Sequence, residues 1–372
     1  MKQTVQNLRF YIISFSLVAV WIMTTAMHIP DGYLSPVTDL ILLLLVLPFW
    51  IRGVQRLRQT ANARNVPVIA LFAALCFVIM MFNVPLPGGT TGHAVGGALA
   101  AIVLGPEVAT IAITVALVIQ AFFFGDGGIL ALGANCFNMA VVLPYVSYSI
   151  YHFALKNLNI QPRLRVAAAG LSGWAGLTLA ALFAGIEFGI QPILFHTTDG
   201  TPLYAPYPLS ISIPAMVIPH ALVVSVVEGV FTALVVAYLM RSNKTALEFS
   251  NNPLEFVASS GWMRIRGYVI ALSLLAVATP LGLLAPGTAW GEWGSKQLTE
   301  RGLSFIPRGL VAMENLWTAP LSGYNLPALR NSTFGYLLSA VLGIFLVGFF
   351  VWLFTALFTL NRPSEKVKDD IQ

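Results

Sequence analysis

The chain has 372 residues, of which 57% are hydrophobic and only 9% charged. That composition excludes an ordinary soluble domain. The absence of period-2 alternation excludes a membrane barrel, which leaves an all-α, polytopic integral membrane protein. The net charge of +5 falls to +3 if residues 1–26 leave with Lys2 and Arg9, an excess too small to call for a nucleic-acid partner.

Residues 1–9 carry Lys2 and Arg9 and no acid, Phe10 to Met23 is uncharged and apolar, and Thr24-Thr25-Ala26 is small. This is the order of a secretory signal segment, with cleavage expected after Ala26. An uncleaved signal anchor is the alternative, and either would place Met27 on the extracytoplasmic side. Cleavage would make Met27 a free α-amine and His28 the second residue. The amine, the His28 backbone nitrogen and the His28 imidazole could then close two small chelate rings. Three nitrogens in one plane suit Ni(II), Cu(II) or a related ion, and one more would complete a square.

Pro30-Asp31-Gly32 reads as a turn that makes this stretch a compact hook. Leu40–Ile51 is the core of the first mature helix, and Arg52, Arg56, Arg58 and Arg64 follow it without an acid, which marks the cytoplasm. Val66–Val84 returns outward to a Gly/Pro loop ending at His93. Ala94–Leu104 is short for a full span, and Glu107 opens the next helix, where a carboxylate suits the helix dipole. Val108–Phe124 precedes the turn Gly125-Asp126-Gly127-Gly128, in which Asp126 is expected to cap. An apolar stretch from Ile129 to Leu155 ends at Lys156, Arg163 and Arg165.

Val166–Ile186 carries Gly170, Gly173 and Gly176, a small-residue face for close helix packing. Gln191–Pro208 reads as an outer loop without Lys or Arg, and Ile211–Met240 returns inward to Arg241 and Lys244. Seven mature helices result, with every basic loop on one side. After a polar linker, Gly267–Leu284, a long Gly/Pro-containing loop and Phe334–Leu360 form a two-helix hairpin. Arg362, Lys366 and Lys368 place its end in the cytoplasm. Cys76 and Cys136 both lie in apolar segments, which argues against a structural disulfide.

Met27-His28-Ile29-Pro30-Asp31-Gly32-Tyr33-Leu34-Ser35-Pro36 resembles the N-terminal signature of the CbiM/NikM family. These are the nickel/cobalt substrate-binding (S) components of energy-coupling-factor (ECF) transporters. Gly89-Thr90-Thr91-Gly92-His93, Phe124-Gly125-Asp126-Gly127-Gly128 and Leu132-Gly133-Ala134-Asn135-Cys136-Phe137-Asn138-Met139 resemble it too. Residues 267–360 resemble, more weakly, the NikN/PDGLE-type two-helix accessory subunit.

The resemblance implies metal held by the Met27 amine, the His28 amide and imidazole, and His93. It also implies a transmembrane coupling (T) subunit and two ATP-binding cassette ATPases as partners, in a prokaryotic cell membrane. The metal would be transported substrate, Ni2+ or Co2+, with no resident cofactor. The division it suggests is signal segment 1–26, S-component core 27–241, linker 242–266, hairpin module 267–362 and tail 363–372.

Four further residues could support the ligands. Asn135 and Asn138 share a helical face at i,i+3 spacing, suited to holding loops or imidazole rings, though ordinary interhelical hydrogen bonding would use them equally well. His220 and Glu228 lie two helical turns apart, and intramembrane ionisable groups are functional suspects, though packing or a subunit contact would use them equally well. His152 and His196 read as surface residues. No Gly-x-x-x-x-Gly-Lys-Ser/Thr phosphate loop occurs, so the chain carries no ATP-coupling motif and is not expected to be an enzyme. No His-Glu-x-x-His occurs to support a zinc hydrolase. An ion-coupled secondary carrier acting alone is the alternative, and it would be expected to show inverted repeats or paired interrupted helices, which are not evident.

Overall fold

The computed structural model describes residues 28–60, 65–86, 90–157, 161–242, 262–285, 288–326, 329 and 331–359. The expected signal segment, Met27, most of the linker and the C-terminal tail lie outside these residues.

Helix α1 (Pro36–Thr60) starts where Ser35 accepts the Thr38 N–H on its hydroxyl at 3.1 Å and Pro36 takes the first helical position. Both are favoured there, because an N-cap oxygen satisfies an orphan donor and proline has none to satisfy. Leu40, Ile41, Leu44 and Ile51 of α1 are each more than half exposed. An apolar face presented so openly belongs against lipid. α2 (Val66–Met80) leads to a ribbon of two short antiparallel strands, β1 (Val84–Leu86) and β2 (Thr90–Gly92), which pairs Val84 with Gly92. This ribbon lies within the expected Gly/Pro loop and leads directly into His93.

α3 (Gly97–Leu104) is wholly buried, and α4 (Pro106–Ile119) continues through a wide turn at Gln120–Phe124. α5 (Leu132–Asn135), a second wide turn at Cys136–Val142 and α6 (Leu143–Asn157) run on without a break. α7 (Pro162–Leu194) is longer than its apolar pattern suggested and runs into the segment expected to be loop. α8 (Leu209–Pro219), a third wide turn at His220–Val224 and α9 (Ser225–Ser242) follow. α7 packs along α9, with Gly170 against the Gly229 backbone, the close approach that small residues permit.

A helical segment thus falls on each apolar stretch. Five helices among the described residues are long and apolar enough to cross a membrane: Pro36–Thr60, Pro106–Phe124, Arg163–Leu194, Leu209–Arg241 and Ser332–Leu357. Val66–Met80 and the eight residues of α3 are shorter. The chain is a multi-pass, mostly helical membrane protein.

The C-terminal hairpin is integrated into this bundle. α10 (Trp262–Ala278) and α13 (Ser332–Thr359) both pack on α2, and the Tyr336 hydroxyl donates to the Met81 carbonyl at 2.7 Å. The segment joining them holds two short helices, α11 (Ser295–Glu300) and α12 (Arg308–Met313). Its Trp290, Trp293, Leu298, Leu303 and Leu310 form a second apolar core with Ile29, Tyr33, Phe188 and Tyr207. The presumed loop is therefore a folded cap over the hook.

Candidate metal centre

The hook is held from three sides. Asp31 accepts three backbone N–H groups at the start of α5, from Leu130 (2.8 Å), Ala131 (3.2 Å) and Ile129 (3.0 Å). Asn135 closes a two-way clamp on Ile29, accepting its N–H at 2.9 Å and donating to its carbonyl at 3.0 Å. The Tyr33 hydroxyl donates to the Trp293 carbonyl at 2.6 Å, and the Ser35 N–H donates to Gln191 Oε1 at 3.0 Å. The turn at 125–128 needs its glycines. Gly127 has φ +93° and leaves room for only 2.9 Å between an added Cβ and the His28 Cβ, while a side chain at Gly128 would collide with Asp31.

This framework puts His28 beside His93. Their ring centroids lie 5.1 Å apart at 86°, and both residues are buried. An N–H on His28 Nδ1 has the Asp126 carbonyl and Oδ1 as acceptors, both at 3.2 Å. His28 Nε2 is buried with no partner among the described residues. His93 Nδ1 donates to the Ala94 carbonyl at 2.9 Å, which leaves Nε2 with the lone pair. Burial, and then the neighbouring His28 ring, lower the His93 imidazole to about 4. It is neutral at physiological pH, the form that binds metal.

Both rings line a cavity of about 90 Å3 with Asn135, Asn138 and His220. At roughly 30 Å3 per water, that is room for about three waters, or for one ion with about two. Trp290 and Glu292 of the cap line the cavity as well. Burial, and then Asp126, raise the Glu292 carboxyl well above the usual carboxylate range. Among the described residues no three His, Cys, Asp or Glu side chains cluster as a ligand set. A ligand set built on His28 and His93 therefore draws its remaining donors from outside the described His, Cys, Asp and Glu side chains. Met27, which would supply one, lies outside the described residues.

The supporting residues divide by role. Glu228 reaches the loop after His93, where its carboxylate accepts the N–H groups of Val95 (2.9 Å), Gly96 (2.8 Å) and Ala98 (3.1 Å). His220 lines the cavity and donates from Nδ1 to the Met216 carbonyl at 2.7 Å. Asn138 also lines the cavity, but its amide donates to Glu187 Oε2 at 2.8 Å rather than to a histidine. Asp126, expected to be a turn cap, instead faces His28 and accepts the Tyr324 hydroxyl at 2.6 Å. His196 is exposed, and His152 stacks on Tyr148 at 4.7 Å. Sequence reasoning missed the cap residues, because nothing local to Trp290 or Glu292 reports that they line a cavity built by distant helices.

Asn135→Ala removes both bonds to Ile29 and leaves its buried N–H unsatisfied, a cost of about 1–3 kcal/mol, while the Ile29 carbonyl keeps the Gly128 N–H at 2.9 Å. Because the clamp orients His28, metal affinity should also fall, by roughly 10–100-fold. Thermal unfolding and Ni2+ titration of the purified variant check both.

A family model described as "Cobalt uptake substrate-specific transmembrane region" matches residues 28–246. The fused nickel transport protein NikMN of Rhodobacter capsulatus is 46% identical over 352 residues, 91% of this chain and 100% of that protein. The "probable fused nickel transport protein LarMN" of Lactiplantibacillus plantarum is 43% identical, over 86% of this chain and 94% of that one. A crystal structure of a truncated transition metal transporter superposes with a TM-score of 0.55 at 48% identity, covering 58% of this chain and 100% of that chain.

Proposed function

The chain belongs to the CbiM family, and on that premise we propose that it is the substrate-specific component of an ECF-type ABC importer for Ni2+ or Co2+. Its membership makes it a nickel/cobalt transport membrane component of the CbiM/NikMN type. The finer reading rests on one observation: two histidines distant in sequence meet edge to face at the wall of a small, capped cavity.

In this reading the metal is held by the Met27 amine, the His28 amide nitrogen, the His28 imidazole and His93. Chelation through His28 Nδ1 requires Asp126 to yield the nitrogen it now holds. Asp126 would then remain beside the bound cation as its counter-charge. Asn135 positions the hook and Glu228 positions the His93 loop. His220 adds a third imidazole to the cavity wall without being one of the four donors. The cap formed by residues 288–324 would control access, because its aromatic side chains pack directly on the hook. Capture would take place on the extracytoplasmic side after removal of residues 1–26, with the core crossing the membrane seven times and the C-terminus in the cytoplasm.

Energy would come from a T subunit and two ATPases, since the 372 residues contain no phosphate loop. Reconstituted alone in vesicles, the chain should bind Ni2+ but not accumulate it against a gradient. Uptake measured with and without the partner ATPases tests this. Concentrative uptake by the chain alone would establish the ion-coupled secondary carrier instead.

A further inference from the structure

Behind the cavity wall lies a set of acceptors with no donor. Asp39 is in the first turn of α1, Glu187 is in α7 and Asn138 is in the wide turn between α5 and α6. Each is only 4% exposed. Asn138 Nδ2 donates to Glu187 Oε2. Four oxygens remain without a partner among the described residues: both of Asp39, Glu187 Oε1 and Asn138 Oδ1. The two acids belong to one locality. Gln191 Nε2 donates to the Glu187 carbonyl at 2.9 Å and to the hydroxyl of Thr38, next to Asp39, at 3.2 Å.

No basic side chain among the described residues bonds these oxygens. Arg52 is the nearest arginine along α1, about 20 Å from Asp39, and Arg165 is about 33 Å from Glu187 along α7, at 1.5 Å per residue. The hook contributes Asp31, another acid. Asn138 lines the imidazole cavity, and neither acid does. Buried carboxylates that stay charged are paired or coordinate a cation, and acids within apolar helices are functional suspects, in ion pathways or proton relays.

We propose that Asp39, Glu187 and Asn138 form a divalent-cation site of oxygen donors, distinct from the imidazole cavity, with Asn138 common to both. Two carboxylates balance a +2 ion. Their oxygens and the Asn138 carbonyl oxygen, completed by water, are a hard donor set that suits Mg2+ or Ca2+ and accepts Ni2+ or Co2+ more weakly than nitrogen does. The occupant is either the transported metal at a second position or a resident hard cation, and competition tells them apart.

The test is equilibrium dialysis of the full chain, stripped with chelator, against NiCl2. The wild type should show a tight class of sites and a second class at least about 100-fold weaker. His93→Ala should lose the tight class and keep the weak one. Asp39→Asn combined with Glu187→Gln should do the reverse, and its retained tight class also shows that it folds. If millimolar Mg2+ or Ca2+ empties the weak class, the occupant is a hard cation; if neither does, the site holds the transported metal. A wild type with no weak class, releasing only protons that the double variant does not, would overturn the proposal and leave a carboxyl pair holding protons. A weak class that survives the double variant would overturn it as well.

Discussion

His93→Ala should abolish high-affinity Ni2+ or Co2+ binding, and His28→Ala should do the same. On the proposed ligand set each variant removes one of four nitrogens, and among the described residues no three His, Cys, Asp or Glu side chains cluster to replace it. The loss should exceed the roughly 10–100-fold expected for an outer hydrogen-bonding partner such as Asn135. The two variants differ in structural side effects. His28 also occupies Asp126, so its removal leaves a buried carboxylate with one partner fewer. The outward bond of His93 goes only to the Ala94 carbonyl. His93→Ala is therefore the cleaner test of ligation, and it should unfold at nearly the wild-type temperature in the metal-free state.

The main-chain half of the site needs its own variant. A residue inserted between Ala26 and Met27 keeps both histidines but replaces the free amine with a peptide nitrogen. If the amine is a ligand, this insertion should damage binding as badly as His93→Ala. If only imidazoles bind, it should be harmless. Intact mass must first show that residues 1–26 have been removed. Titration of the insertion variant with both metals then decides, and wild-type affinity would rule out the amine.

The helices were legible because lipid demands unbroken apolar runs, and each such run carries a helical segment. What those runs hid was any departure from a simple span. α3 looked too short, and it is a wholly buried helix whose start is bound by Glu228, a residue far along the chain. Asp126 sat between glycines and read as a turn residue, yet its carboxylate faces a histidine from another segment. Asp39 and Glu187 were passed over at the edges of the stretches Leu40–Ile51 and Val166–Ile186, although an acid flanked by apolar residues is itself a signal. The segment before α13 read as loop because its Gly and Pro residues are dense. Its buried Trp290 and Trp293 show that it folds onto the hook. Local pattern reports what a residue is next to in sequence, and these partners come together only in the folded bundle.

Glu228 is the support whose loss should cost most. Its carboxylate, buried in α9, takes three N–H groups at the start of α3, and these directly follow His93. An N-terminal carboxylate also answers the dipole of that helix. Glu228→Ala leaves three buried donors with nothing to accept them, and at about 1–3 kcal/mol for each unsatisfied group the variant should be severely destabilised. Glu228→Gln is the informative change, because it keeps the shape and one accepting oxygen. It loses the bonds made by the other oxygen and turns an N–H toward like donors. The apo protein should then melt several degrees lower, and the His93 loop should hold its imidazole less firmly. Ni2+ affinity should fall by roughly 10–100-fold, the range for a residue that orients a ligand. Because metal binds only the folded site, saturating Ni2+ should recover part of the lost melting temperature. An unchanged affinity with a lowered melting temperature would show that Glu228 supports the fold without positioning His93.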